Sequence, residues 1–216
     1  MSIYRIQIKL LSDTTFGRGD GVSGLIDQEV EHDSDGFPYL RGRTLKGLLS
    51  EECDNLIATL QTERQHWEHL AARLFGVAGS TEHKMSIMHV GDACLPLDLR
   101  TAVALQSTRS ITSTEILESL TTIRRQTAIA CETGVADHNS LRSARVVLRD
   151  LCFIASLFFD TQPTEEMVSL LAAGVAALRR VGSGRNRGRG HVQCQLLDSS
   201  DERVTQKYLV GFGVRG

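Results

Sequence analysis

Arginine and aspartate carry most of the chemistry this chain could perform. The nine residues Gly182-Ser183-Gly184-Arg185-Asn186-Arg187-Gly188-Arg189-Gly190 interleave three arginines with glycines and contain no acid. Glycine lets backbone amides approach a ligand closely, and the guanidinium fork matches phosphate oxygens. With that spacing, Arg185, Arg187, Arg189 and the Ser183 hydroxyl suit a phosphate backbone better than a solvated connection. A second basic group, Arg41, Arg43 and Lys46, opens a predicted helix, whose free amides and dipole also favour anions. A capped surface helix with incidental basic residues is the competing reading there. Acids gather elsewhere: Asp13, Asp20, Asp27, Glu29, Glu31, Asp33 and Asp35 lie within 23 residues beside one base, Arg18, itself a candidate RNA-binding residue.

Other chemistries find less support. Gly19-Asp20-Gly21-Val22-Ser23-Gly24 fits G-x-G-x-x-G, but no helix follows and an acidic loop is a poor cradle for pyrophosphate. No G-x-x-x-x-G-K-[ST] occurs. Arg18-Gly19-Asp20 carries no meaning for a cytosolic chain. His66 and His69 share a predicted helix without an evident third ligand, so a solvated face is expected. Cys53, Cys94, Cys131, Cys152 and Cys194 are odd in number and never form C-x-x-C, which suggests neither disulfides nor a thiolate zinc site, only small buried residues.

The elements that must hold these groups can be read from periodicity. Ile6, Ile8 and Leu10 alternate with Gln7 and Lys9, predicting a strand over 3–10. Residues 12–41, with glycines at 17, 19, 21, 24 and 36, form a long loop, with a short strand over 24–30. Leu45, Leu48, Leu49, Cys53, Leu56, Ile57 and Leu60 line one helix face, with Thr44 as N-cap. A second helix runs from Glu63 to Phe75 and stops at Gly76. Residues 85–99 read as extended. Residues 100–145 are rich in Thr, Ser and Arg and predict a protrusion with little core of its own, including a helix Ser113–Leu120 opened by a Thr112/Glu115 capping box. Strand-like sequence returns at Val146–Phe159, Thr164 caps a helix through Arg180, and Val192, Cys194 and Leu196 alternate in a last strand. This order suggests a ferredoxin-like α+β sheet, the layout of RNA-recognition domains.

Composition sets the frame. The chain has 216 residues, 41% hydrophobic and 23% charged, enough for one domain with a real core. No apolar run approaches the ~20 residues of a membrane span, and the N-terminus lacks a signal-peptide core, so a cytoplasmic protein with no membrane partner is expected. The formal net charge is −2, yet 20 of 24 basic residues are arginine and five of them fall between Arg179 and His191. That clustering favours phosphate binding; genome composition is the alternative source of the arginine excess.

Several segments together resemble one family. Pro38-Tyr39-Leu40-Arg41-Gly42-Arg43-Thr44-Leu45-Lys46-Gly47 is similar to the P-x-h-x-G-[ST]-[ST]-h-K-G signature of the repeat-associated mysterious protein (RAMP) superfamily of CRISPR systems, with Arg43 in place of a small residue. In the family's order follow Leu74-Phe75-Gly76, Val90-Gly91-Asp92-Ala93, the stretch Ile123–Ile129 with Gly134 and Ser140-Leu141-Arg142, and the loop 182–190. The resemblance spans nearly all of 1–216 as a single RAMP domain. It implies a modified RNA-recognition-motif (ferredoxin-like) fold with a protruding thumb insertion at 100–145, carrying Arg124, Arg125 and Arg142 toward RNA. It also implies the backbone subunit of a type III effector complex. Guide CRISPR RNA, complementary target RNA, other effector subunits and paralogous backbone subunits would be its partners. Gly24-Leu25-Ile26-Asp27 matches the family's cleavage loop, so Asp27 inherits catalysis with a divalent metal, Mg2+, which Asp20 could share. A turn-stabilising carboxylate is the bland reading of Asp27. A non-catalytic guide-binding scaffold and a guide-processing endonuclease relying on His191 are the alternative functions.

Overall fold

The structure is a computed structural model that describes residues 4–21, 26–77, 86–106, 111–129, 131–132, 134–137 and 140–212. Gly24 and Leu25 of the cleavage-loop match, with Val22 and Ser23, lie outside the described residues.

Alternation builds the main sheet. Strand β1 (Tyr4–Leu10) turns Ile6, Ile8 and Leu10 fully inward. On β5 (Cys152–Phe159) the inward set is Phe153, Ala155, Leu157 and Phe159, and on β6 (Val192–Leu197) it is Val192, Cys194 and Leu196. β1 sits between β5 and β6, antiparallel to both, in registers such as Ile8 opposite Phe153 and Cys194. The short β2 (Met88–Val90) pairs with β5, giving the order β2-β5-β1-β6. This is the split β-α-β arrangement of a ferredoxin-like sheet.

Helices α1 (Gly42–Ala58), α2 (Arg64–Phe75) and α5 (Glu165–Ala177) supply the second layer. Leu45, Leu49, Cys53 and Ile57 form the buried stripe of α1; each such aliphatic side chain removed from water contributes roughly 1.5–3 kcal/mol. α1 and α5 cross closely because Gly174 has no side chain: a Cβ there would stand 2.5 Å from Cys53 Sγ. Cys53 and Cys194 are buried as expected, Cys94 and Cys152 only half-buried, and Cys131 is exposed.

The inserted region has more order than its composition predicts. It forms α3 (Leu97–Gln106), α4 (Ser113–Leu120) and a hairpin of β3 (Thr121–Gln126) and β4 (Arg142–Val147), a separate two-stranded sheet. The hairpin is rooted in the core through Thr121, Val146 and Val147, while Ile129, Val135 and Leu141 toward its far end are exposed. Both halves of the Thr112/Glu115 capping box are present.

Several boundaries differ from the sequence reading. Among the described residues of the 85–99 stretch, only 88–90 form a strand, and Pro96 starts a helix at Leu97. In the described part of the strand expected at 24–30, residues 26–30, isolated bridges replace a strand, among them Gln28 with Ala144 and Val30 with Gly17. Thr164 does cap α5, its hydroxyl accepting from Met167 N at 3.3 Å, but the helix ends at Ala177, before Arg180. Thr44 does not cap α1. The helix begins two residues earlier, and Asp92 Oδ1 accepts the Gly42 N–H at 2.7 Å, a cap delivered from another segment.

Candidate nucleic-acid interface

A buried strap, Asp13–Phe16, joins the hairpin to the glycine–arginine loop. Thr14 and Thr15 are completely buried, so each polar atom needs a partner. Thr14 exchanges backbone hydrogen bonds with Val147 (3.1 and 2.7 Å), and its hydroxyl donates to Val181 O at 3.0 Å. The Thr15 hydroxyl donates to Arg145 O at 2.9 Å, and Thr15 O accepts from Ser183 N at 2.9 Å. The loop fits because Gly182 and Gly190 take φ of +77° and +71°; a Cβ would meet Thr15 O at 2.5 Å and Val181 O at 2.0 Å respectively. Between them Arg185–Arg187 form one 3-10 turn.

The acidic loop docks on β4. Asp27 N donates to Ser143 O at 3.0 Å, and Ser143 answers with its N–H (2.6 Å) and hydroxyl (3.2 Å), both to Asp27 Oδ2. These hydrogen bonds, the backbone one first, with Arg142 nearby, hold the exposed Asp27 carboxyl below the usual aspartate range. One residue on, Arg145 N donates to Gln28 O at 2.9 Å, and the Arg145 guanidinium pairs with Glu29 at 2.8 Å, both side chains largely buried. Asp20 is held differently. Arg18 grips it with two hydrogen bonds of 2.7 and 3.2 Å, which lower its carboxyl and occupy the Arg18 fork.

The remaining basic residues fall into three groups. Arg142 and Arg187 line one groove of about 640 Å³ between hairpin and loop, together with Gln126, Thr127, Ser140 and one acid, Asp137. Arg41, Ser183 and Arg185 line a smaller recess of about 220 Å³ with Thr44 and Tyr39. There Arg41 pairs with Glu31 at 2.7 Å and Tyr39 donates to Glu31 at 2.9 Å. Burial alone would raise the Glu31 carboxyl; those two bonds outweigh it and keep it below the usual range. Arg185 approaches Glu51 at 3.6 Å. Arg124 and Arg125 border a groove along β3 with Thr122 and Ile123, Arg124 bonded to Asp13 at 2.8 Å. Arg43 is exposed and Arg189 half-exposed.

Two expected contacts are used by the fold itself. The Lys46 ammonium donates to Ser86 Oγ (2.6 Å) and Met88 O (2.8 Å), and its burial lowers its pKa, so it ties α1 to β2. Of the α1 amides expected to bind an anion, that of Gly42 already donates to the Asp92 carboxylate. His66 pairs with Glu166 at 3.3 Å, and no group of three metal-binding side chains forms among the described residues. Arg145, Ser143 and the Thr14-Thr15 strap escaped sequence reasoning. Arg145, set between Ala144 and the apolar pair Val146-Val147, was the available signal, since a buried guanidinium requires a carboxylate.

A four-stranded antiparallel sheet in split β-α-β order, backed by helices and carrying an inserted hairpin, defines a modified RNA-recognition-motif protein. The chain belongs to the RAMP superfamily, whose family model matches residues 7–193. Its fold is similar to that of a chain in the cryo-EM structure of Type III-B Cmr-beta bound to cognate target RNA, at 13% identity and TM-score 0.63, covering 95% of this chain and 98% of that one. A chain in the apo-state Cmr-beta structure is similar at 14% identity and TM-score 0.59, with 92% and 98% covered. No curated protein matches it in sequence.

Proposed function

We propose that this chain is a guide-RNA-binding backbone subunit of a type III CRISPR effector complex and cuts complementary target RNA at Asp27. The observation that carries the reading is the attachment of Asp27 to the thumb strand. Ser143 fixes its carboxylate one residue from Arg142, and Arg142 shares a groove with Arg187 of the glycine-rich loop. A carboxylate held ionised beside arginines that can neutralise a phosphate suits a backbone strand bent across the hairpin. The loop arginines Arg185, Arg187 and Arg189, with Arg41 and Arg43, bind guide phosphates, and Arg124, Arg125 and Arg142 meet RNA along the hairpin.

Asp27 orients the 2′-hydroxyl for in-line attack, and Arg142 offsets charge on the phosphate. The residues present fit a magnesium ion only if water and RNA complete its shell, since no group of three metal-binding side chains forms among the described residues and Asp20 is engaged by Arg18. Such an ion would supply Lewis-acid polarisation of the phosphate. The Ser143 bonds equally describe a structural turn carboxylate, the scaffold reading. Asp27→Asn separates the two. In the assembled complex with magnesium, target cleavage opposite this subunit should fall at least about a hundredfold while guide and target binding persist. Cleavage at the parental rate would make Asp27 structural.

A further inference from the structure

A second groove runs along the free edge of β6, beyond the glycine–arginine loop. Its volume is about 480 Å³. Its basic groups are Arg179 just past the end of α5, His191 before β6 and Arg203 on the return segment before α6 (Thr205–Leu209). All three are exposed, and among the described residues no acid lines the groove and neither arginine has an ion-pair partner. Gln193, Gln195 and Gln206 add three carboxamides. Gln195 Oε1 is shielded from solvent and lacks a hydrogen-bond partner, an acceptor left unsatisfied. Leu11, which is exposed, and Ala176 give part of the wall an apolar character.

The strand edge is open at one point. Val192 N donates outward to Arg179 O at 2.9 Å and Leu196 N to the Thr205 hydroxyl at 2.7 Å. By alternation the Cys194 amide points the same way, between those two capped positions.

We infer that this groove binds a short single-stranded RNA segment, separate from the thumb groove. Two unpaired guanidiniums match successive phosphates, the carboxamides match the mixed donors and acceptors of base edges, and the apolar wall matches a base or ribose face. The groove adjoins the glycine–arginine loop through Gly190-His191, so one strand could follow both. The inference rests on RNA being the partner but does not involve Asp27 or the hairpin.

The test uses the full chain and a fluorescent polyuridine strand titrated across salt. Arg179→Ala with Arg203→Ala should lower the slope of log affinity against log salt by about 1.4, the loss of two single-strand phosphate contacts. Gln193→Glu, an exposed change that brings a negative charge to the groove, should weaken binding without lowering the melting temperature, which covers failure of the double variant to fold. With 4-thiouridine in the strand, photocrosslinks should map to residues 191–206. An unchanged slope, no crosslink there, or binding of polyglutamate in place of polyuridine would overturn the proposal. Arg142→Ala with Arg187→Ala serves as the comparison. Loss of RNA in that variant alone would leave the thumb-groove reading standing without this one, and loss in the edge variants alone would do the reverse.

Discussion

At the scale of single residues, ionisation and hydrogen-bond partner decide what each charged group does. The Asp27 carboxyl titrates below its ordinary value because Ser143 bonds the ionised form. A depressed pKa means the attachment to β4 is complete above the ordinary aspartate range and fails only as pH falls through the lowered value. Target cleavage should therefore show no acid limb from Asp27 above the unperturbed aspartate pKa of about 3.9. A pH–rate profile of the assembled complex measures this, and a limb centred near 6 would assign the essential proton to another group. Lys46 makes the opposite case. Its sequence context suggests a phosphate ligand, yet its ammonium is spent on Ser86 and Met88. Lys46→Met keeps the stem and removes the donors, which should destabilise the chain by about 1–3 kcal/mol in thermal unfolding. The salt dependence of RNA binding should stay as it was. Had Lys46 contacted phosphate, the slope would fall by about 0.7.

At the scale of elements, patterns local in sequence were legible and contacts distant in sequence were not. The stripe of α1, the inward face of β1 and the Thr112/Glu115 capping box each depend on spacings of two to four residues. The cap of α1 depends on Asp92, fifty residues on, and no local signal marks it against Thr44. The candidate site divides the same way. The glycines and arginines at 182–190 were legible as a loop expected to bind phosphate, but that Gly182 and Gly190 serve the Thr14-Thr15 strap, and Gly188 does not, follows only from packing. Gly188 holds φ of +77° with open space around it, whereas a Cβ on Gly190 would collide with Val181 O. Gly188→Ala should thus cost about 1–2 kcal/mol, the left-handed penalty for an L-residue. Gly190→Ala adds a backbone clash and should cost distinctly more, with displacement of the loop from the strap. Melting temperatures of the two variants check the ranking, and equal losses would remove the strap from the account of this loop.

At the scale of the whole molecule, three parts far apart in sequence meet beside the main sheet: the acidic loop, the hairpin and the glycine–arginine loop. Their junction contains a buried ion pair, Glu29 with Arg145, whose side chains are 7% and 16% exposed. The pair explains why so acidic a loop settles on the hairpin. Glu29 brings the countercharge, and Arg145 also reaches the Thr121 hydroxyl at 3.3 Å on the neighbouring strand. Desolvating two charges offsets much of their attraction, so the pair should matter more for placing the loop than for net stability. Arg145→Met strands the Glu29 carboxylate in a poorly solvated position and should destabilise the fold by about 3–5 kcal/mol. Adding Glu29→Met removes the stranded charge and should recover most of that loss, since two apolar side chains can share the space. Thermal unfolding of the two variants tests the recovery. Hydrogen exchange tests the placement: the Asp27 and Arg145 amides, which bond across the loop–hairpin junction, should exchange faster in the recovered double variant than in the parent. A double variant no more stable than Arg145→Met would mean that packing of Ile26 and Val30, not charge, seats the loop on the thumb.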